Sequence, residues 1–274
     1  MSRSPASAAP PSVVLTAFGA AEAPALLPGG QGPAWRSGTL VLKPVATAPE
    51  TAWRAGVLHH LPDTPGFRVA RPVPAADGSW AAHGWEAWRL IGGSSDPHRA
   101  DDVIRAGEAF HAALADLPRP RFLGVRDNPW SHADRLAWQE TRQAPDFPLL
   151  EPLLAALRPV SAPAQIIHGD LLGNVVFEPG LPPAIIDWPP YWRPAIIDWP
   201  PYWRPAAWAS AVVAVDALCW YEAGPGLLDR WAHLPDWRQL LVRALIFRIA
   251  AHATLGGAQD DTYRPLVDLV LNRD

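Results

Sequence analysis

The sequence predicts an α+β protein with a small β-rich N-lobe and a larger, mainly helical C-lobe. Up to residue 91, short apolar runs alternate with turn residues, a pattern typical of strands. The stretch Gly92-Gly93-Ser94-Ser95 interrupts this pattern, and beyond it the apolar residues recur at helical spacing. We therefore place the lobe boundary between residues 91 and 92, which gives an N-lobe over 1–91 and a C-lobe over 92–274.

Composition indicates a folded chain without a strong charge bias. Of 274 residues, 49% are hydrophobic and 18% are charged, so the chain can bury a core although 33 residues are Pro. The net charge of −4 argues against nucleic acid as a partner, because no general basic field is available for a phosphate backbone. No run of 18 or more apolar residues suggests a membrane span. The single Cys and a poor secretory signal favour a cytoplasmic protein.

The N-lobe is expected to begin after a flexible Ala/Pro/Ser tail over 1–11. A glycine-containing turn with Gly29, Gly30 and Gly32 then leads into an apolar strand that contains Lys43. The periodicity predicts strands over 40–45, 67–73 and 84–91, and a helix over 50–61.

The C-lobe is expected to be built from amphipathic and apolar helices. The first has apolar residues at helical spacing, acidic residues in its first turn and Pro118 at its end. The predicted helices cover residues 101–118, 149–160, 206–221 and 236–257.

One dense polar cluster lies among strand-like runs, in QIIHGDLLGNVVFEPGLPPAIIDW from Gln165 to Trp188. A predicted hairpin brings Asn174 and Asp187 to the same end, and an amide oxygen beside a carboxylate suits Mg²⁺. Asp170, four residues before Asn174, would lie where it could accept a proton from an attacking hydroxyl. This pattern is typical of phosphoryl transfer.

These motifs resemble those of the aminoglycoside phosphotransferase and choline kinase group, which are relatives of the protein kinases. HGDLLGN resembles the catalytic loop of that group, and IIDW, with Asp187 thirteen residues after Asn174, resembles its metal-binding element. GEAFHAALADLP is similar to the helix before the loop, and LVLKPV to the strand with the ATP-phosphate lysine. The overall sequence, including PGGQG, VLKP and PYWRP, is most similar to an actinobacterial branch of these phosphotransferases. The resemblance implies a bilobal protein-kinase-like fold.

The resemblance also implies roles in catalysis and metal binding. Asp170 would be the catalytic base, and His168 would brace the loop by hydrogen bonding rather than react. Asn174 and Asp187 would hold Mg²⁺.

A second set of implied roles concerns ATP or another nucleoside triphosphate. Lys43 would contact its α/β-phosphates, and Gly29, Gly30 and Gly32 would let the backbone approach them. The segment 84–90 is where a hinge that binds adenine is expected, which makes Glu86 a candidate nucleotide contact. Glu50 is the nearest candidate for an acidic partner of Lys43, although a separation of seven residues is short for that role.

An eleven-residue repeat lies inside the metal-binding segment. Residues 184–194 and 195–205 both read AIIDWPPYWRP, so removal of one copy from 274 residues leaves 263. We interpret the repeat as a tandem duplication that offers Asp198 as an alternative to Asp187. Loop-closure entropy favours the shorter hairpin, and hence Asp187, by only ~1 kcal/mol. The spare strand could also pair with another chain, so both a monomer and a homodimer are open.

The expected function is ATP-dependent transfer of the γ-phosphate to a hydroxyl of a small molecule, for example an antibiotic such as an aminoglycoside. The acceptor cannot be chosen from the sequence, because fold-level analogy does not select a substrate. Two alternatives stay open. One is a catalytically impaired nucleotide-binding or interaction protein, and the other is a metal-assisted phosphoester hydrolase.

Overall fold

A computed structural model describes residues 8–27, 33–45, 47–125, 127–187, 201–257 and 261–272 of the chain. The eleven strands of these ranges are β1 (Ala25–Leu26), β2 (Trp35–Ser37), β3 (Leu40–Pro44), β4 (Arg68–Val69), β5 (Pro72–Val73), β6 (Trp85–Arg89), β7 (Ser94–Ser95), β8 (Gln165–His168), β9 (Val175–Phe177), β10 (Ala184–Ile185) and β11 (Pro201–Arg204).

The helices of the same ranges are α1 (Ser12–Ala17), α2 (Ala48–His60), α3 (Ala100–Ala113), α4 (Pro129–Ala137), α5 (Leu150–Ala155), α6 (Ala206–Trp220), α7 (Gly226–Arg230), α8 (Trp237–Thr254) and α9 (Arg264–Leu271). A 3₁₀ turn covers Arg121–Val125. Strands dominate the N-terminal part and helices the C-terminal part, which confirms the predicted α+β class.

The chain divides into two compact units. Unit 1 contains Met1–Ser94 and Val176–Pro200, and unit 2 contains Ser95–Val175 and Pro201–Asp274. The first division falls three residues after the predicted boundary at residue 91. The segment 176–200, expected in the helical lobe, belongs to unit 1 because β10 pairs there with β4.

Unit 1 contains a five-stranded antiparallel sheet in the order β1-β2-β3-β6-β5. Val14 of helix α1 and Phe18, the residue after that helix, belong to its core and pack with Leu40 and Leu42 of β3. Burial of these apolar side chains is the main favourable contribution to such a small sheet.

A second sheet has the order β4-β10-β9-β7. Strands β4 and β10 are parallel, with Arg68 opposite Ala184 and Val69 opposite Ile185. The single strand predicted over 67–73 is therefore two strands, β4 and β5, which belong to different sheets. Gly93, just before β7, has a φ of +100°. A Cβ placed on it would lie 2.3 Å from the carbonyl oxygen of Phe177, the last residue of β9, so only glycine fits at this position.

Unit 2 is organised around helices α6 and α8. Helix α8 is buried at every position from Leu240 to Ala251, and it packs against α4, α5, α6 and α9. Burial on all sides places α8 in the centre of the helical core, with Arg243 and Arg248 as buried charged residues within it. Within the described ranges, none of the helices is both long enough and apolar enough to span a membrane.

Strand β8 is paired antiparallel with β11, which places His168 opposite Pro201 and Gln165 opposite Arg204. Tyr202 of β11 is buried against Trp208 and Phe247. Strand β10 thus comes from the first copy of the repeat and β11 from the second.

Candidate active site

The catalytic-loop candidates follow directly from strand β8, whose last residue is His168. This side chain is buried, and its ring Nδ1 accepts the backbone N–H of Asp170 at 3.1 Å. The side-chain amide of Asn174 donates to the backbone carbonyl of Asp170 at 2.7 Å and to its carboxylate Oδ2 at 3.1 Å. The structure therefore brings His168, Asp170 and Asn174 together in one hydrogen-bonded loop.

A second buried histidine, His111 of α3, supports this loop. Its Nε2 accepts the backbone N–H of His168 at 3.0 Å, and its carbonyl accepts the side-chain amide of Gln165 at 2.7 Å. Burial, with a smaller contribution from the neighbouring His168, lowers the pKa of His111 to about 3. The ring is therefore neutral near pH 7 and keeps the ring nitrogen that accepts this bond.

Close packing between α3 and the loop depends on a glycine. A Cβ placed on Gly107 would lie 2.4 Å from Cδ1 of Leu171, the residue after Asp170. Leu171 is itself buried, so the helix can approach the loop only because position 107 has no side chain.

Arg248 of α8 holds the other carboxylate oxygen of Asp170. Its Nη2 donates to Asp170 Oδ1 at 3.3 Å, while Asn174 donates to Oδ2. The guanidinium also forms two bonds with Asp216 of α6, one of them from Nε at 2.5 Å. The Arg248 side chain is 2% exposed and that of Asp170 is 15% exposed. The loop carboxylate is thus held at both oxygens while one part of it stays accessible.

The buried Arg248–Asp216 pair is electrostatically balanced. Burial raises the pKa of the Asp216 carboxyl, and the adjacent Arg248 opposes that rise. Burial by itself would lower the pKa of Arg248, but the two carboxylates of Asp216 and Asp170 more than offset it, and the pKa is raised. Arg248 therefore carries its charge next to Asp170.

A separate group of candidate residues lies in unit 1. Lys43 of β3 forms an ion pair through Nζ with Oδ1 of Asp187, two residues after the end of β10. Asp187 has a φ of +51°, in the left-handed region that few side chains other than Asn and Asp adopt readily. A backbone held in this region by its surroundings is often found at functional sites.

Glu86 lies in the segment where a nucleotide contact is predicted. It lies within β6 opposite Lys43 of β3, and its buried carboxylate forms a two-oxygen ion pair with Arg54 of α2. The segment expected to be an adenine-binding hinge is thus an inner strand of the five-stranded sheet, and the Glu86 carboxylate is occupied by Arg54. The acidic partner of Lys43 in the structure is Asp187, whereas the sequence had indicated Glu50 as the nearest candidate.

Comparison with known proteins identifies the family. The sequence profile of the phosphotransferase enzyme family (APH) matches residues 32–190, which is more than half of the chain. The chain belongs to this phosphotransferase family. The matched range contains Lys43, the loop from His168 to Asn174, and Asp187. No curated protein sequence matches this phosphotransferase.

Solved structures agree on the fold. An aminoglycoside phosphotransferase from Alicyclobacillus acidocaldarius subsp. acidocaldarius DSM 446 is 16% identical, with a TM-score of 0.53, and the match covers 98% of this chain and 91% of that one. A thermostable mutant of the aminoglycoside phosphotransferase APH(4)-Ia, in a ternary complex with AMP-PNP and hygromycin B, is 13% identical, with a TM-score of 0.54 and coverage of 95% and 96%. The GDP and kanamycin complex of APH(2")-IIia is 16% identical, with a TM-score of 0.53 and the same coverage.

Several predicted positions of the phosphotransferase lie outside the described residues. They are the glycines expected near the nucleotide phosphates and the aspartate of the second repeat copy: Gly29, Gly30, Gly32 and Asp198.

The donor chemistry fits a magnesium site. Among the described residues no three or more His, Cys, Asp or Glu side chains cluster so that they could hold a metal ion. Mg²⁺, however, is commonly held by one or two protein oxygens together with substrate phosphates. The Asn174 amide nitrogen donates to Asp170, so its carbonyl oxygen would be the ligand atom, and the Asp187 carboxylate is an oxygen donor of the kind that Mg²⁺ prefers.

Sequence reasoning missed the contributions of His111, Asp216 and Arg248 to this loop. A signal for two of them was present, because Asp216 and Arg248 are charged residues inside long apolar runs. A charge in a buried helix must find a partner, so each predicts the other. The contact of Arg248 with Asp170, which lies 78 residues earlier, has no local sequence signature.

Proposed function

We propose that this phosphotransferase moves the γ-phosphate of a nucleoside triphosphate, most simply ATP, to a hydroxyl group of a small molecule. The observation that carries the proposal is the arrangement of Asp170. Its carboxylate is held at both oxygens by Asn174 and Arg248, yet its side chain is 15% exposed. A fixed, partly accessible carboxylate is suited to accept a proton from a bound hydroxyl.

In the proposed reaction, Asp170 accepts the hydroxyl proton as the acceptor oxygen forms its bond to the γ-phosphorus. The bond between that phosphorus and the β,γ-bridging oxygen breaks, and the nucleoside diphosphate leaves with the electron pair. His168 has no direct part in this step. It holds the loop through its bond from the Asp170 N–H, which fits a bracing role.

Lys43 and Asp187 are the proposed contacts of unit 1 with the nucleotide and its metal. Lys43 would exchange its ion pair with Asp187 for the α- and β-phosphates. Asp187 and Asn174 would hold Mg²⁺, which when bound neutralises charge on the β- and γ-phosphate oxygens. Removing either oxygen ligand should therefore weaken the binding of Mg²⁺-ATP more than the binding of metal-free nucleotide.

The acceptor class is the least restricted part of the proposal. Hygromycin B and kanamycin are bound in the two similar aminoglycoside phosphotransferase structures. Both compounds therefore belong in an acceptor panel, beside other hydroxylated antibiotics, sugars and amino alcohols.

The test is a screen for Mg²⁺-ATP consumption over this panel with the intact chain, and with Asp170→Asn as a nearly isosteric control. We expect at least one compound to raise ATP consumption, a phosphorylated product detectable by mass spectrometry, and a loss of roughly 10²-fold or more in Asp170→Asn. Nucleotide binding without turnover on any compound would favour the impaired nucleotide-binding alternative. Phosphate release from phosphoesters in the absence of ATP would favour the hydrolase.

A further inference from the structure

Two opposite charges lie inside the two most buried helices of unit 2. Helix α6 is buried from Trp208 to Ala217 and includes Asp216, while α8 includes Arg248 within its buried stretch. The Asp216 and Arg248 side chains are 5% and 2% exposed. Such charges are costly in an apolar core unless they are paired, which explains their two-point contact.

We infer that Arg248 and Asp216 form a positioning pair that sets the orientation of the Asp170 carboxylate for phosphoryl transfer. The inference rests on the proposed function, because it assigns a role relative to the proposed base. Neither residue is given a part in proton or phosphoryl transfer.

The geometry favours positioning over a purely structural role. The Arg248–Asp216 pair is already neutral and bonded at two points, so it does not need Asp170 for its own charge balance. Nη2 nevertheless also donates to Asp170 Oδ1 at 3.3 Å. Asn174 donates to Oδ2 and Arg248 to Oδ1, so loss of Arg248 removes a hydrogen bond that opposes rotation of the carboxylate.

Asp216 contributes by fixing the guanidinium. Its two oxygens bind Nε and Nη2, which leaves the planar fork one orientation in which Nη2 also faces Asp170. A lysine at position 248 would keep the charge but could not reproduce this fork. We therefore expect the Asp170 carboxylate to be misoriented in Arg248→Lys, although the positive charge is kept.

The expected kinetic signature is a loss of kcat. A misplacement of about 1 Å at a reacting group lowers turnover by roughly 10²-fold. Because the proposed role of Arg248 is exerted through the Asp170 carboxylate and not through the nucleotide, we expect the KM for Mg²⁺-ATP to change by less than about threefold.

The experiment compares Arg248→Lys with a double variant, Arg248→Met/Asp216→Leu. Apolar replacement of a whole buried ion pair is often neutral for stability, so the double variant keeps the test valid if the single variants fold poorly. The matched control is Arg204→Met/Asp134→Leu, a second buried Arg–Asp pair of unit 2 that does not touch Asp170. Turnover is measured with Mg²⁺-ATP and the highest-turnover compound of the screen, or with water as acceptor if no compound raises the rate.

We expect Arg248→Lys and the Arg248/Asp216 double variant to lose roughly 10²-fold in kcat per folded molecule, while the Arg204/Asp134 double variant keeps the native kcat. In an Asp170→Asn background the Arg248 substitutions should add little further loss, because residues that act as a unit are non-additive. Full kcat in the folded Arg248/Asp216 double variant, or losses that multiply with Asp170→Asn, would overturn the inference. If Asp170→Asn itself kept full turnover, the proposed function would fail instead.

Discussion

Lys43 and Asp187 form an ion pair between β3 and the residue that follows β10 by two positions, 144 residues apart in the sequence. The next helix in sequence after β3 is α2, which contains a different buried ion-pair residue. Helix α2 instead directs Arg54 to Glu86 on β6, the strand beside β3. This ion pair of Lys43 therefore depends on the segment that carries the repeat.

The first prediction separates the two aspartates of the repeat. Asp187→Asn should abolish turnover, because it removes the negative partner of Lys43 and a proposed metal ligand, whereas Asp198→Asn should keep turnover near the native value. The measurement is Mg²⁺-ATP consumption together with nucleotide affinity by calorimetry. Loss of turnover in Asp198→Asn with a fully active Asp187→Asn would mean that the second copy supplies the working carboxylate.

The second prediction concerns the buried pair between Arg54 and Glu86. Glu86→Gln leaves the Arg54 charge buried without a carboxylate, and breaking such a pair destabilises by about 3–5 kcal/mol. Asp63→Asn is the control, since the Arg71 and Asp63 side chains are 30% and 55% exposed, and a change below about 1 kcal/mol is expected.

Urea unfolding followed by fluorescence checks both variants. Equal shifts of the unfolding midpoint in Glu86→Gln and Asp63→Asn would contradict the buried role of Glu86. A normal unfolding midpoint with a specific loss of nucleotide affinity in Glu86→Gln would support the nucleotide contact that the sequence predicts.

The sequence predicted the local parts of the site and not the distant ones. HGDLLGN and IIDW each specify a short strand followed by a polar turn, so Asp170 and Asn174 were expected together and are found so. Such local patterns do not determine which strands pair with each other when they are distant in the sequence. The segment 67–73 reads as one strand, but its two halves pair with β10 and β6, and the choice is made by tertiary packing.

The third prediction is a dependence of stability on pH through His111. Its pKa is lowered from 6.5 to about 3 in the folded protein, chiefly by burial. Between these two pH values the unfolded chain binds a proton at His111 and the folded chain does not. The stability contribution is therefore fully present above about pH 6.5 and falls as the pH drops toward 3, by at most about 1.4 kcal/mol per pH unit. Protonation would also remove the acceptor of the His168 N–H bond.

His111→Gln tests this dependence, because a glutamine carbonyl can accept the same bond without titrating. Unfolding free energies measured between pH 7 and pH 4.5 should fall less steeply in His111→Gln than in the native chain. The exposed His98, replaced in His98→Gln, serves as the control and should leave the native slope unchanged. Parallel slopes for the native chain and His111→Gln would contradict the prediction.

The last prediction uses the repeat itself. Ala184 to Asp187 of the first copy contain β10 and the partner of Lys43, and Pro201 to Arg204 of the second copy form β11. Deletion of residues 188–198 removes one full period and leaves both elements intact, with two residues instead of thirteen between Asp187 and Pro201. We therefore expect the 263-residue chain to fold, to keep the Lys43–Asp187 and Arg204–Asp134 pairs, and to turn over Mg²⁺-ATP at least as fast as the intact chain. A folded but inactive deletion variant beside an active intact chain would show that the additional eleven residues contribute to the activity.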